Sequence, residues 1–234
     1  MEYRGYDSVG LATFDDGKIV VAKGAGKVQE VDRALNLNGL PGTVGIGHTR
    51  WATHGRVCDE NAHPHTSARV ALVHNGIIEN YEAIKTQHNF ECVSDTDSEV
   101  VAHLLNFHYA ETNNVELAVK RTVSQLTGNF AFVALFDDGT LAGARHHEPL
   151  IVGIANFGVF LASDVIGFIE STDEAVYLDN REFVVVYDKE KPQIFDFGGK
   201  PKSHKTVTLS KKLVDVYKDD YAHVTLEEIH EQPE

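Results

Sequence analysis

Three short segments carry side chains whose types and spacing could do chemistry. The first, Gly47-His48-Thr49-Arg50-Trp51-Ala52-Thr53-His54-Gly55, follows an apolar run and holds the only Trp in the chain. A guanidinium suits two-pronged binding of a carboxylate, and flanking glycines let a loop close over a ligand. The same residues also suit a surface loop whose Trp packs on the core and whose Arg pairs with a structural acid. The second, His74-Asn75-Gly76-Ile77-Ile78-Glu79-Asn80, reads either as a tight turn or as two donors, an amide side chain and a glycine N–H, aimed at a developing oxyanion. The third, Ser94-Asp95-Thr96-Asp97-Ser98-Glu99, suits helix capping, with Ser94 and Asp95 as candidate caps. A carboxylate there could instead hold a substrate ammonium group. Asp97 is the candidate, and with Arg50 on the carboxylate of the same molecule it would define an α-amino-acid site.

Other residues invite chemistry less specifically. Thirteen histidines, including His63-Pro64-His65 and His146-His147, show no ligand spacing as specific as His-Glu-x-x-His, and no metal is assigned. Lys23-Gly24-Ala25-Gly26-Lys27 fits neither a phosphate-binding loop nor a dinucleotide fingerprint and reads as a turn. Cys58 falls in a polar loop and Cys92 in a short strand, Phe90 to Val93, and each reads as an ordinary free thiol.

The elements that must position these residues follow from periodicity. Strands are expected over Ser8–Thr13, Ile19–Ala22, Val44–His48 and Arg69–His74, then in quick succession over Phe130–Phe136, Thr140–Ala144, Leu150–Ile154 and Gly158–Ala162, with Phe183–Tyr187 and Gln193–Phe197 after them. Asp15-Asp16-Gly17-Lys18 and Asp137-Asp138-Gly139-Thr140 are hairpin signals. Helices are expected over Val28–Leu37, Asn80–His88, Asp97–Tyr109 and Val115–Leu126, with a short one at Val165–Thr172. In the third, Val100, Val101, Leu104, Leu105 and His108 form one stripe. Hairpin-linked strands with helices grouped between them predict an α+β sandwich of antiparallel sheets and not a doubly wound parallel sheet.

Composition bounds the function. At 234 residues, 42% hydrophobic and 24% charged, the chain can bury a substantial core. Its net charge of −14 disfavours phosphate backbones and anionic membranes, so no nucleic-acid or membrane partner is expected. The most apolar stretch, Pro149 to Ala162, is too short to span a bilayer. With two cysteines and no leader-like start, a cytoplasmic location is expected.

Taken in order, Tyr3-Arg4-Gly5-Tyr6-Asp7-Ser8, Thr49–Gly55, Asn61-Ala62-His63-Pro64-His65, His74–Asn80, Ser94–Glu99, Ala162-Ser163-Asp164 and Glu228-Ile229-His230-Glu231-Gln232-Pro233 resemble the glutaminase domain of the glutamine–fructose-6-phosphate aminotransferase (isomerising) family, the glucosamine-6-phosphate synthases. The resemblance implies an N-terminal-nucleophile hydrolase fold, a four-layer αββα sandwich. It also implies hydrolysis of L-glutamine by an N-terminal Cys through a thioester, with ammonia passed on to aminate fructose 6-phosphate. Carried over residue by residue, Asn75 and Gly76 would stabilise the oxyanion, and Arg50 and Asp97 would grip the substrate's carboxylate and amino group. Thr53 and His54 would line a closing loop, Trp51 would gate ammonia, and Arg4 and Gly5 would position the nucleophile. No cofactor is implied. Residues 1–212 would be the glutaminase domain and 213–234 a linker toward sugar-phosphate isomerase domains, in an enzyme that forms homo-oligomers at full length. The family opens with Cys-Gly-Ile-Val-Gly, a strand, and a helix, whereas this chain starts at Met1 directly before Glu-Tyr-Arg-Gly-Tyr-Asp. The expectation is therefore a domain lacking its nucleophile and catalytically impaired as it stands, the alternative being a non-catalytic glutamine-binding or regulatory module.

Overall fold

A computed structural model describes residues 5–52, 55–187 and 191–210. Its strands are β1 (Ser8–Asp15), β2 (Lys18–Ala25), β3 (Val44–Arg50), β4 (His65–Ser67), β5 (Val70–Ile78), β6 (Gly128–Phe136), β7 (Leu141–His146), β8 (Ile151–Ala155), β9 (Gly158–Ala162), β10 (Glu174–Tyr177), β11 (Glu182–Val186), β12 (Gln193–Asp196), β13 (Pro201–Lys202) and β14 (Val207–Thr208). The helices are α1 (Val28–Leu35), α2 (Tyr81–His88), α3 (Asp97–Thr112) and α4 (Val115–Val123). All strand pairs are antiparallel, in a seven-stranded sheet ordered β13-β12-β11-β7-β6-β5-β4, a three-stranded sheet β2-β1-β3 and a four-stranded sheet β14-β10-β8-β9.

The strand period of two sorts the core. Along β6, Phe130, Phe132, Ala134 and Phe136 join Val101, Leu105 and Val119 of α3 and α4. The intervening Ala131, Val133 and Leu135 face Ala12, Ile46 and Val152 of the two smaller sheets, with Leu150 just before β8. Val31 of α1 packs with Val9 on the outer face of the three-stranded sheet, and Phe168 and Ile169 cover Ile151 and Ala175 on the four-stranded one. Four layers result, helices over the large sheet, the two smaller sheets side by side, then a thin outer layer, in agreement with the expected α+β αββα sandwich.

Several expectations are corrected locally. The stretch 165–172 forms only a 3-10 turn, Val165–Gly167. Residues 90–93 form no strand. The N-cap of α3 is Thr96, not Ser94 or Asp95; Ser94 Oγ lies 3.0 Å from Thr96 Oγ1, and Asp95 is turned to Asn61. Strands β4, β10, β13 and β14 are too short to show an alternating pattern, and β13 and β14 lie in a polar stretch. The Asp16-Gly17 turn holds, with both residues at positive φ (45° and 76°) as a two-residue hairpin loop requires. The proposed linker 213–234 lies outside the described residues, as do Arg4, Thr53 and His54.

A cleft of about 390 Å³ opens between the two smaller sheets. Leu11, Ile46 and His48 of β1 and β3 form one wall, Leu161 and Ala162 of β9 the other, with Val73, Asn75 and Val133 of the large sheet between. Both β3 and β9 are edge strands of their sheets.

Candidate functional site

Of the chemistry-bearing residues, His48, His74 and Asn75 line this cleft, whereas Arg50, Gly76 and Asp97 are not among its lining residues. β3 delivers His48 and Arg50, β5 delivers His74, Asn75 and Gly76, and the first turn of α3 delivers Asp97. His48 Nε2 lies 2.8 Å from Asn75 Oδ1, joining residues 27 apart in sequence. In the tautomer that donates from Nε2, this bond occupies the amide oxygen and leaves the Asn75 NH2 group to point elsewhere. Gly76 adopts φ +108°, and a Cβ there would stand 2.0 Å from the Asn129 carbonyl oxygen, so only glycine fits.

Asp97 does two things at once. Its Oδ2 accepts a 2.7 Å bond from the Ile78 amide, tying α3 to β5, and its Oδ1 lies 4.0 Å from His74 Nδ1. Arg50 is buried, and its Nη1 donates to the Arg56 carbonyl at 3.2 Å. Gly55 sits where an added Cβ would be 3.6 Å from Arg50 Nη2 and 3.5 Å from Asp95 Cβ, bringing the arginine loop against the segment before α3. Trp51 is 62% exposed, its ring centroid 6.3 Å from that of Tyr6. Gly5 is pressed against the same turn: a Cβ on it would lie 2.7 Å from the Arg50 carbonyl carbon.

The structure adds residues that pattern alone did not single out. Asp7 Oδ2 accepts from the Ala52 amide at 2.8 Å, and the Asp7 amide donates to the Arg50 carbonyl at 3.1 Å, fixing the start of the arginine loop. Asn61 donates to Arg56 O and Asp95 Oδ2 and accepts from the Asp95 amide, clasping that loop to the approach of α3. Lys23 Nζ donates to the carbonyls of Ala62, 2.6 Å, and Glu60, 3.2 Å. Each is a long-range contact whose only sequence trace is membership of one of the short motifs.

His63-Pro64-His65 becomes part of a buried histidine cluster. The His48 and His63 rings stack at 4.3 Å, His63 meets His65 edge-on at 4.8 Å, and the His74 amide donates to His63 Nδ1 at 3.1 Å. His65 Nε2 is 3.0 Å from Thr96 Oγ1 and His74 Nδ1 2.8 Å from Ser98 Oγ. These nitrogens are engaged by protein groups and do not converge on one point. Burial pushes the His63 and His74 pKa values down and that of His65 to about 3, with the Asp97 charge opposing the shift at His74. His63, His65 and His74 are neutral near pH 7 and act as polar packing behind Asn75.

Comparison with known proteins gives these contacts a family. The glutamine amidotransferase domain family matches residues 48–169. The glutamine–fructose-6-phosphate aminotransferase [isomerizing] of Pyrococcus horikoshii is 44% identical over the whole of this chain and that of Aquifex aeolicus 42%; the chain spans 40% of the length of each. Among solved structures, the glutamine phosphoribosylpyrophosphate amidotransferase from B. subtilis aligns with a TM-score of 0.65 at 26% identity, over 90% of this chain and 44% of that one. A glutamine aminotransferase class-II domain protein from Silicibacter pomeroyi, at 15% identity, shares the fold with a TM-score of 0.52 over 88% of this chain and 97% of that one. The layered sheets are thus those of the N-terminal-nucleophile hydrolases, and because the matched stretch runs from the arginine loop through β5 and α3 and takes in more than half of the sequence, the chain belongs to the glutamine amidotransferase domain family.

Proposed function

We propose that this chain is the glutamine-hydrolysing part of a glutamine–fructose-6-phosphate aminotransferase, binding L-glutamine and releasing ammonia for sugar-phosphate isomerase domains to use on fructose 6-phosphate. The observation that carries the reading is the bond from His48 to Asn75 Oδ1, beside a position only glycine can occupy, on the strand that Asp97 ties to α3. Asn75 Nδ2 and the Gly76 N–H are then the two donors for the oxyanion. Arg50 takes the glutamine carboxylate and Asp97 its ammonium, with Thr53 and His54 in the covering loop and Trp51 at the ammonia exit. A thiolate attacks the side-chain carbonyl carbon; the C–N bond breaks, ammonia leaves with a proton returned by the cysteine's own α-amino group, and water hydrolyses the thioester to glutamate.

Neither Cys58 nor Cys92 lines the cleft. The reading therefore requires a cysteine brought by another stretch of polypeptide. We place it at the head of a strand lying in the cleft between β3 and β9, with Arg4 and Gly5 beside it, and expect residues 1–212 to form the domain, 213–234 to lead toward the sugar domains, and the whole enzyme to work as a cytoplasmic homo-oligomer. Among the described residues no helix is long and apolar enough to cross a membrane.

The test is ammonia release from L-glutamine by the 234-residue chain and by the same chain preceded by a Cys-Gly-Ile-Val-Gly-led strand and helix. Activity lower by about 10⁶ in the first than in the second supports the reading. Equal activity in both assigns the nucleophile to Cys58 or Cys92 and overturns it. Inactivity of both, with glutamine bound in calorimetry, overturns it in favour of the binding-module alternative.

A further inference from the structure

We propose that Cys92, Glu99 and His103 form a binding site for a divalent transition-metal ion of zinc-like preference, where the loop before α3 meets that helix. The proposal is independent of the glutamine reading. Glu99 and His103 are four residues apart on α3 and so share a face, and Cys92 comes from the preceding loop. One ligand atom from each lies within 4.8 Å of the others. Thiolate, carboxylate and imidazole together are the donor set a borderline-soft ion takes in tetrahedral sites, with one position left for water or a further ligand.

Two distances favour an ion over a hydrogen bond. His103 Nε2 stands 3.5 Å from Glu99 Oε1, well beyond the ~2.7–2.9 Å of a charge-assisted bond. Two ligands held at ~2.0–2.1 Å on one tetrahedral ion are about 3.3 Å apart, close to the gap observed. His103 Nε2 is buried and has no hydrogen-bond partner, while Nδ1 lies 3.0 Å from Ser67 Oγ. In the tautomer that donates from Nδ1 to Ser67 Oγ, the Nε2 lone pair faces Glu99 and Cys92, the outer-shell arrangement usual for a metal-bound histidine. The ring is also held from one side by Phe90, stacked at 5.3 Å. The Glu99 carboxylate is preset by amides, accepting from Val93 at 3.0 Å and Ser94 at 2.6 Å.

The grouping of Asp179, Glu182 and His204, with Glu182 at the start of β11, provides the contrast. There His204 Nε2 stands 2.8 Å from Glu182 Oε2, a direct contact with no room for an ion between them, and Lys202 Nζ lies 3.9 Å from Oε1, setting a positive charge beside the carboxylate. At Cys92 an ion would staple the loop to α3 five residues before Asp97, stiffening the segment that presents that carboxylate.

The experiment uses the purified 234-residue chain, dialysed against a chelator and then titrated with Zn²⁺ against a chromophoric competitor, and separately with Co²⁺. Expected are one equivalent of Zn²⁺, a rise in Tm on Zn²⁺ addition, and a near-ultraviolet thiolate-to-cobalt charge-transfer band. Cys92→Ala should abolish the band and weaken Zn²⁺ binding by at least ~100-fold, and Ser67→Ala should weaken it ~10–100-fold, each with an unchanged circular dichroism spectrum. Cys58→Ala should change nothing. Absence of an equivalent of bound metal overturns the proposal. So does binding that survives Cys92→Ala, or that is lost in His204→Ala instead.

Discussion

At the residue scale, the proposed function divides binding and chemistry between different side chains, and their substitutions should leave different kinetic signatures. In the enzyme carrying its nucleophile, Asn75→Ala should lower kcat by about 10²–10³ with little change in KM, because an oxyanion donor acts only as charge develops. Asp97→Asn should mainly raise KM, because the contact with the ammonium group proposed for Asp97 would be made before and during reaction. A kcat effect confined to Asp97, with Asn75 silent, would reverse the assignment; steady-state glutaminase assays on both variants decide it. Gly76→Ala is a backbone test. A methyl group 2.0 Å from the Asn129 oxygen at φ +108° cannot be accommodated without moving β6. A cost of about 2 kcal/mol or more, or a fall in Tm of roughly 4–8 °C, should appear in thermal denaturation.

At the element scale, the strands around the site are held by a cluster of packed histidines. Residues His48 on β3, His65 on β4 and His74 on β5, with His63 between, pack ring against ring and against Thr96 and Ser98 of the α3 approach. Burial lowers the pKa values of His63, His65 and His74 in the fold, so below about pH 6.5 the unfolded chain binds more protons than the folded one. The stability they contribute is complete above about pH 6.5 and is lost as the pH falls from there toward about 3, the value to which His65 is pushed. Each protonating imidazole should remove about 1.4 kcal/mol per pH unit. Urea titrations between pH 6.5 and 5, above the range where most carboxylates titrate, should show stability falling steeply; a flat profile there would mean that the cluster is charged or exposed.

At the scale of the whole molecule, the second β layer is two sheets with a cleft of about 390 Å³ between them, walled by apolar side chains and bordered by the edge strands β3 and β9. Sheet edges flanking apolar surface favour association with an extended chain. The 234-residue chain should therefore bind a hydrophobic dye and aggregate on heating. A peptide of the Cys-Gly-Ile-Val-Gly-led strand, present at about 100 times its Kd, should add ~2.7 kcal/mol and raise Tm by roughly 5–10 °C while displacing the dye. A sharp reversible transition without peptide, unmoved by its addition, would show that the cleft accepts no strand.

Local physics made much of this protein readable from its sequence. Alternation along Phe130–Phe136, the Asp16-Gly17 turn and the stripe of α3 each follow from neighbours a few residues apart, so strands, hairpins, helices and the α+β class could be set out in advance. The segments of the site could be named for the same reason: glycine beside an amide, and an arginine among glycines, are short-range patterns. Only the tertiary structure decided how these parts meet. The bond between His48 and Asn75, the clasp of Asn61 on Asp95, the conversion of His63 and His65 into a buried stack, and the approach of Cys92 to His103 all depend on distant segments brought together by burial of the core. The short strands β4, β10, β13 and β14 escaped notice on the same ground, since two to four residues carry too little pattern of their own and take strand form only because a longer neighbour offers hydrogen bonds to satisfy.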